Sequence, residues 1–312
     1  MKAAGVPSVA ADDGGLWSRL QLGYYRLAAS GCIPRTWHER RLPPPEARSA
    51  RSGELKLEVV SHCWRYASFL QYQLSSIVLF PPQDLDLCVT VYYAEEDEAT
   101  RDLLARFGAI ALPRVRWNWQ ALPKECLFRR AIGRNHAALA STADWIWFTD
   151  CDLMFRENCF DSLAAALQDR RDALVFPAVE ACTPLLSDND PSLHPDPAQQ
   201  LVVDIDPDRF SPRRRSRATG PLQIVHGDVA RACGYCDAIA YYQKPATRWQ
   251  KAHEDRALRW LLGSQGVPLE IAGVYRLRHA SKGRYTGTPW MNRLRGALRS
   301  AVSRWQERRL PR

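Results

Sequence analysis

Two aspartates one residue apart, Asp150 and Asp152, follow the short apolar run Trp145-Ile-Trp-Phe148 and a threonine. A run of that length and aromatic content reads as a buried strand of a parallel sheet. Ligands of open α/β sheets bind outside the carboxyl ends of the strands, where these two acids would emerge. A carboxylate pair there suits a hard divalent cation, Mg²⁺ or Mn²⁺, that shares its remaining positions with phosphate oxygens. Asp-X-Asp alone also fits a solvated turn. The apolar strand before the acids, and the helix before that strand, favour the ligand-binding reading.

Further along the chain, other residue types could serve the same chemistry. Arg134 and Asn135 lie on the preceding helix, where an arginine can reach a phosphate or remain a surface ion-pair residue. His253-Glu254-Asp255 opens a later helix. Acids in that position complement the helix dipole, and a carboxylate there can also take a proton from a hydroxyl. Arg276-Leu-Arg-His279 ends a strand and runs into Ser281-Lys282-Gly283-Arg284-Tyr285. His279 could be a third metal ligand or a structural histidine. Lys282 and Arg284 could bind phosphates, with Gly283 allowing their loop to move.

The elements that must position these residues follow from periodicity. Residues 1–53 read as an extension, with a short helix over 16–27 and a proline-rich linker at 43–45. The core, 54–287, starts with a strand at 55–61 and continues as helix 66–78, strand 85–93, helix 96–107, strand 115–117, helix 125–141 and the central strand. That alternation predicts a doubly wound, mostly parallel sheet. A helix at 159–168 and a strand at 173–176 follow. Residues 180–220 lose periodicity and carry several prolines and the run Arg213-Arg-Arg-Ser-Arg217, which predicts a long functional loop that orders around ligand. A strand at 222–225, a short helix after Gly227, a helix at 253–262 and a strand at 268–278 complete the core. Residues 288–312 read as a basic amphipathic helix, with Trp290, Leu294, Leu298, Val302 and Trp305 at helical spacing among arginines. Such a helix either lies on an anionic membrane or packs on its own domain.

Composition narrows the classes. The 312 residues are 46% hydrophobic and 25% charged, as a globular α/β protein requires. No stretch approaches a membrane-spanning length of about 18 apolar residues, and the first residues lack the apolar run of a signal peptide. The expectation is a cytosolic protein, soluble or peripheral on the cytosolic face of a membrane. Nine scattered cysteines argue against a disulfide framework, and Cys233-Gly-Tyr-Cys236 lacks two further ligands for a zinc site. The net charge of +9 calls for anionic partners, and nucleotide phosphates, anionic lipid and nucleic acid all qualify.

Taken jointly, the run Ala131-Ile-Gly-Arg134-Asn135 through Asp150-Cys-Asp152, the segment Leu222-Gln-Ile-Val-His226-Gly227 through Gly234, His253-Glu254-Asp255 and His279 resemble the family 2 glycosyltransferases and related enzymes of the GT-A fold. The resemblance spans residues 55–285. It implies a GT-A fold, a mixed, mostly parallel central sheet flanked by helices. It also implies transfer of a sugar from a nucleotide-diphosphate donor to a hydroxyl of a glycan or glycolipid acceptor, with inversion. On that resemblance Asp150, Asp152 and His279 would hold Mn²⁺ or Mg²⁺. Asp255 would act as base beside Glu254. Arg134, Asn135, Glu95, Lys282, Arg284 and Tyr285 would bind the donor, and His226, Gly227 and His253 would face the acceptor. The sequence departs from the family after the second strand, where Tyr93-Ala-Glu95-Glu-Asp97 replaces the usual acidic setting, and at the end of the first, Ser61-His-Cys-Trp-Arg65. Two other readings are a nucleotidyltransferase, for which a Gly-rich, Lys-containing phosphate loop is missing after the first strand, and a basic nucleic-acid-binding module, for which no recognisable motif is present.

Overall fold

The first strand, β1 (Leu55–Cys63), is buried at eight of its nine positions, as expected of a strand covered on both faces. The computed structural model describes residues 11–38, 42–187, 189–195 and 197–279. Before β1 lies α1 (Leu16–Leu27). After it come α2 (Ala67–Leu79), β2 (Leu85–Tyr93), α3 (Glu98–Gly108) and β3 (Val115–Ala121). Asp97 caps α3 by accepting from the amide and hydroxyl of Thr100. The same carboxylate accepts from the Arg65 amide at 2.5 Å, so one acid ties the ends of β1 and β2 together.

The helix expected over 125–141 is two helices, α4 (Lys124–Leu127) and α5 (Ala131–Ala140). The turn between them points Arg129 and Arg130 to different partners. Gly133 lets α5 lie directly on the sheet: a Cβ there would sit 2.3 Å from His62 Nε2. Next come β4 (Trp145–Phe148), β5 (Leu153–Phe155), α6 (Cys159–Leu167), β6 (Leu174–Pro177), β7 (Val179–Cys182) and β8 (Ser211–Arg214). The chain then continues with β9 (Gln223–His226), α7 (Gly227–Cys233), α8 (Ala240–Gln243), α9 (Glu254–Leu262), β10 (Val267–Leu269) and β11 (Val274–Arg276).

The main sheet has the order β10-β6-β9-β4-β1-β2-β3. Its pairs are parallel except those made by β9, which runs antiparallel to β4 and β6. Helices flank it, giving the mixed, mostly parallel α/β architecture of the GT-A fold. A second sheet, β5-β11-β7-β8, was not expected. The strand anticipated at 268–278 is divided between the two sheets at Gly273, whose φ of 68° and close approach to the carbonyls of Arg156 and Glu157 suit only glycine.

The segment 180–220 is also more fastened than its composition suggests. Gln71 Nε2 donates to the carbonyls of Gln200 and Leu201, and the Val203 amide donates to Ser75 Oγ at 3.0 Å. Arg156 binds Asp204 and the Ile205 carbonyl. Leu186, Leu193, Val203 and Ile205 are buried. These contacts correct the expectation of a bare loop awaiting ligand. Among the described residues no helix is long and apolar enough to cross a membrane.

Candidate active site

The site is built where β1 and β4 end. Backbone pairing carries past the last residue of β4, since the Thr149 amide donates to Val60 O at 2.9 Å. Gln73 of α2 then fixes the turn: its side-chain amide donates to the carbonyls of Asp150 and Leu153, while its oxygen accepts from Ser61 Oγ. On the other side the Leu277 amide donates to Asp152 O at 2.9 Å, which fastens the second sheet to the acidic turn. Asp150, Asp152 and His279 are thereby brought together. With His62, Tyr66, Phe69, Arg130 and others they line a pocket of 90 Å³. A space of that size admits an ion or a phosphate group beside the two acids.

Three arginines surround the two acids. Asp150 pairs with Arg130, with Arg134 Nη2 at 3.4 Å and with Arg276 Nη2 at 4.0 Å. Asp152 has Arg276 Nε at 3.4 Å and His279 Nε2 at 3.9 Å. Arg276 also approaches Glu180 at 3.9 Å, a fully buried acid that pairs with Arg215 as well. Arg130 reaches Glu254 Oε2 at 4.0 Å, so it bridges the helix-opening acid and the strand-end acid. Asp150 and then Glu254 hold the Arg130 guanidinium above its ordinary value. Burial pulls that of Arg276 down, but Asp152, Glu180 and Asp150 outweigh it and hold it above. Burial, then Arg134 and Arg130, push the His62 imidazole well below its usual range, so it is neutral at pH 7.

The remaining expected residues divide. Arg134 is at the site, but it acts on Asp150: it is buried, donates to Thr149 O at 3.0 Å and to Tyr235 Oη at 2.7 Å, and lies against the Tyr235 ring. Asn135 is a fastener, donating to Asp237 and accepting from the Tyr235 amide at 2.8 Å. Glu95 is exposed at the end of β2, and the acid turned toward β1 is Asp97. Glu254 is buried and accepts from the Ala131 amide. Asp255 is more open and lies 3.3 Å from Arg259 Nη1, one turn along α9. Neither acid lines the 90 Å³ pocket. His253 supplies the left-handed residue that starts α9, with φ of 60°.

His226 and Gly227 need correction. Because β9 is antiparallel to β4, His226 pairs with Trp145, at the opposite end of β4 from Asp150. Its ring contacts Ser49 O at 3.0 Å and accepts from the Asp228 amide, and Gly227 packs on the Ala143 carbonyl. Neither reaches the acids. Lys282, Arg284, Tyr285 and the C-terminal amphipathic run lie outside the described residues. A wider groove of 1350 Å³ follows the face of β1–β3 beside α5. Its buried Glu58 is satisfied by Thr90, which in turn accepts from Asn118, so it is separate from the acid cluster.

Sequence reasoning missed Arg130, Arg276 and Glu180. Arg130 and Arg276 were visible only as members of Arg-Arg and Arg-Leu-Arg-His runs, and nothing in the sequence marked which arginine would face an acid.

The glycosyl transferase family 2 model matches residues 115–232, from β3 through α7, including both aspartates. Over that stretch the chain is similar to the family 2 glycosyltransferases. A mannosyltransferase from Pyrobaculum calidifontis, solved in complex with GDP-Man and Mn²⁺, is 15% identical over 94% of this chain and 72% of its own, with a TM-score of 0.42. TarS of S. aureus, residues 1–349, is 11% identical over 80% of this chain and 65% of its own, with a TM-score of 0.43. Its complex with UDP-GlcNAc gives 0.44 at the same identity, over 66% of that chain. This chain thus spans just under two thirds of the TarS chain, and similarity at these scores is too distant to bear on chemistry. No curated protein sequence matches the chain.

Proposed function

We propose that the chain is a metal-dependent, inverting glycosyltransferase that moves a sugar from a nucleotide-diphosphate donor to a hydroxyl of a glycan or glycolipid acceptor. The observation that carries this reading is the convergence of Asp150, Asp152, His279 and Arg130 on one small pocket, with the guanidinium groups of Arg134 and Arg276 paired to the two acids from behind it. Carboxylate oxygens suit Mn²⁺ or Mg²⁺, and a neutral imidazole can add a ligand to a transition metal such as Mn²⁺. Among the described residues no group of three or more potential ligands is close enough to hold an ion by itself. A hard cation at this turn would take one or two carboxylates from the chain and its remaining ligands from substrate phosphates. Asp152 and His279 would hold it, with Asp150 nearby. Such a cation, when bound, would supply Lewis-acid neutralisation of the departing diphosphate.

The chain's own residues would do the rest. Arg130 and Arg276 would exchange part of their carboxylate contact for the donor's phosphate oxygens, since each is shared among several acids. Arg134 keeps Asp150 oriented. Glu254 is occupied by Arg130 and the Ala131 amide, so its role is to position Arg130. Asp255 is open enough to meet an acceptor hydroxyl and would accept its proton as the oxygen attacks the anomeric carbon. One base and in-line attack give inversion. Lys282, Arg284 and Tyr285 would close over the diphosphate, with His253 beside the acceptor. The basic run 290–309 would meet an anionic membrane surface where the acceptor is a glycolipid.

Asp255→Asn tests the base assignment, because Asn keeps the shape and can still complement the helix start. Turnover should fall by about two orders of magnitude or more, with donor affinity and melting temperature little changed. Near-normal turnover in the folded variant would remove Asp255 from the mechanism.

A further inference from the structure

Eight large hydrophobic side chains are exposed among the described residues, and six of them fall within residues 16–37. Five are on α1: Leu16 at 75% exposure, Trp17 at 72%, Leu20 at 57%, Leu27 at 54% and Tyr24 at 38%. At 3.6 residues per turn these five occupy a single arc of about 100°. The opposite face is already used. Ser18 is buried and donates to Asp12, Tyr25 stacks on Tyr241 at 6.2 Å, and Leu22 packs against the core. The exposed stripe is therefore a surplus apolar face on a helix fixed to the domain by its other side. Trp37, at 70% exposure, follows in the segment that folds back along α9.

We propose that this face of α1 docks on an anionic lipid surface. Charge and shape select that occupant. Arg19 and Arg26 are exposed beside the stripe, and α1 contains no acid. Both features match a membrane surface carrying negative headgroups. The stripe lies on a convex helix, and tryptophan and tyrosine on it are the side chains that settle at headgroup level. α1 packs against α8 and α9, so docking would bring the lipid surface within one helix of Glu254 and Asp255. This surface belongs to a different stretch of sequence from the basic run at 290–309 and does not rest on the reading of the acid cluster, because lipid binding needs no donor.

Co-sedimentation of the full chain with vesicles tests it. Vesicles of phosphatidylcholine mixed with phosphatidylglycerol should bind the protein, and vesicles of phosphatidylcholine alone should bind it less. The double change Trp17→Ser with Leu20→Ser should lower the partition coefficient about tenfold or more. Both side chains are exposed, so the melting temperature should hold. The pair Trp290→Ser with Trp305→Ser, confined to the C-terminal run, serves as the comparison. The proposal is overturned if neither vesicle binds the chain, or if binding survives the Trp17 and Leu20 changes and is lost only with the C-terminal pair. It is equally overturned if light scattering shows a dimer that the Trp17 and Leu20 changes dissociate while vesicles bind neither form, which would assign the face to a second copy of the chain.

Discussion

Arg129 and Arg130 are neighbours in sequence and serve opposite ends. Arg129 is buried against Asp12 at 2.8 Å, both side chains 1% exposed, with its guanidinium 4.2 Å from the centre of the Tyr241 ring. Asp12 also accepts from Ser18 and the Gly14 amide. This pair is dedicated: each member has its charge partner, and together they fasten the N-terminal arm to the domain. Arg130 keeps a third of its side chain open and divides itself between Asp150 and Glu254. Its acid is shared in turn with Arg134 and Arg276. A dedicated buried pair holds structure. A cluster in which Asp150, Arg130 and Arg276 each have more than one charge partner can exchange partners when a charged ligand arrives, at modest cost in reorganisation.

The sharpest way to break this contrast is to remove one charged side chain from each region. Asp12→Ala leaves Arg129 buried without its partner and should cost about 3–5 kcal/mol of stability, read as a lower denaturation midpoint, with turnover per folded molecule unchanged. Arg130→Gln should cost far less stability, because Asp150 keeps two other guanidinium groups, while donor affinity falls about tenfold, the scale of one charge-assisted contact. If Asp12→Ala cut donor affinity while Arg130→Gln left it intact, the two regions would have to exchange roles.

A smaller effect sharpens the picture of the pocket. His62 stacks on Tyr92 at 5.2 Å and is held neutral among arginines. Its folded pKa lies below the unfolded value, so the unfolded chain binds the extra proton. Stability is therefore intact at neutral pH and lost as pH falls below about 6.5, by at most about 1.4 kcal/mol per pH unit. His62→Phe keeps the stacking and removes the proton site, so its melting temperature should fall less between pH 7 and pH 5 than that of the wild type. His226, His136 and His253 are also pushed down, burial being the first cause in each, so the difference between the two proteins is the quantity to measure.

Much of the main sheet could be read from the sequence because its strands are long or strongly apolar. The bounds expected for α1, β2 and β4 match the structure, and Asp150 and Asp152 stand at the strand end where their spacing put them. The second sheet could not be read. Its strands are three or four residues long, and β8 consists of Ser211, Pro212, Arg213 and Arg214, which carry no apolar alternation. The break between α4 and α5 was hidden because Phe128, Arg129 and Arg130 are acceptable helix residues. His226 was misassigned for a different reason. Periodicity identifies a strand but not its direction, and one antiparallel strand carries its last residue to the opposite end of its neighbours. Arg276 was overlooked beside His279, since a histidine near acids suggests a ligand whereas an arginine suggests an ordinary ion pair.

The central claim is that the acidic turn binds a donor diphosphate through a cation. Calorimetric titration of a nucleoside diphosphate, with and without Mn²⁺, into the wild type and Asp152→Ala tests it most directly. Mn²⁺ should tighten nucleotide binding to the wild type by about tenfold or more, the range over which mutually stabilising ligands usually couple, and Asp152→Ala should fold but show no such dependence. Undiminished Mn²⁺-dependent binding in the folded variant would contradict it.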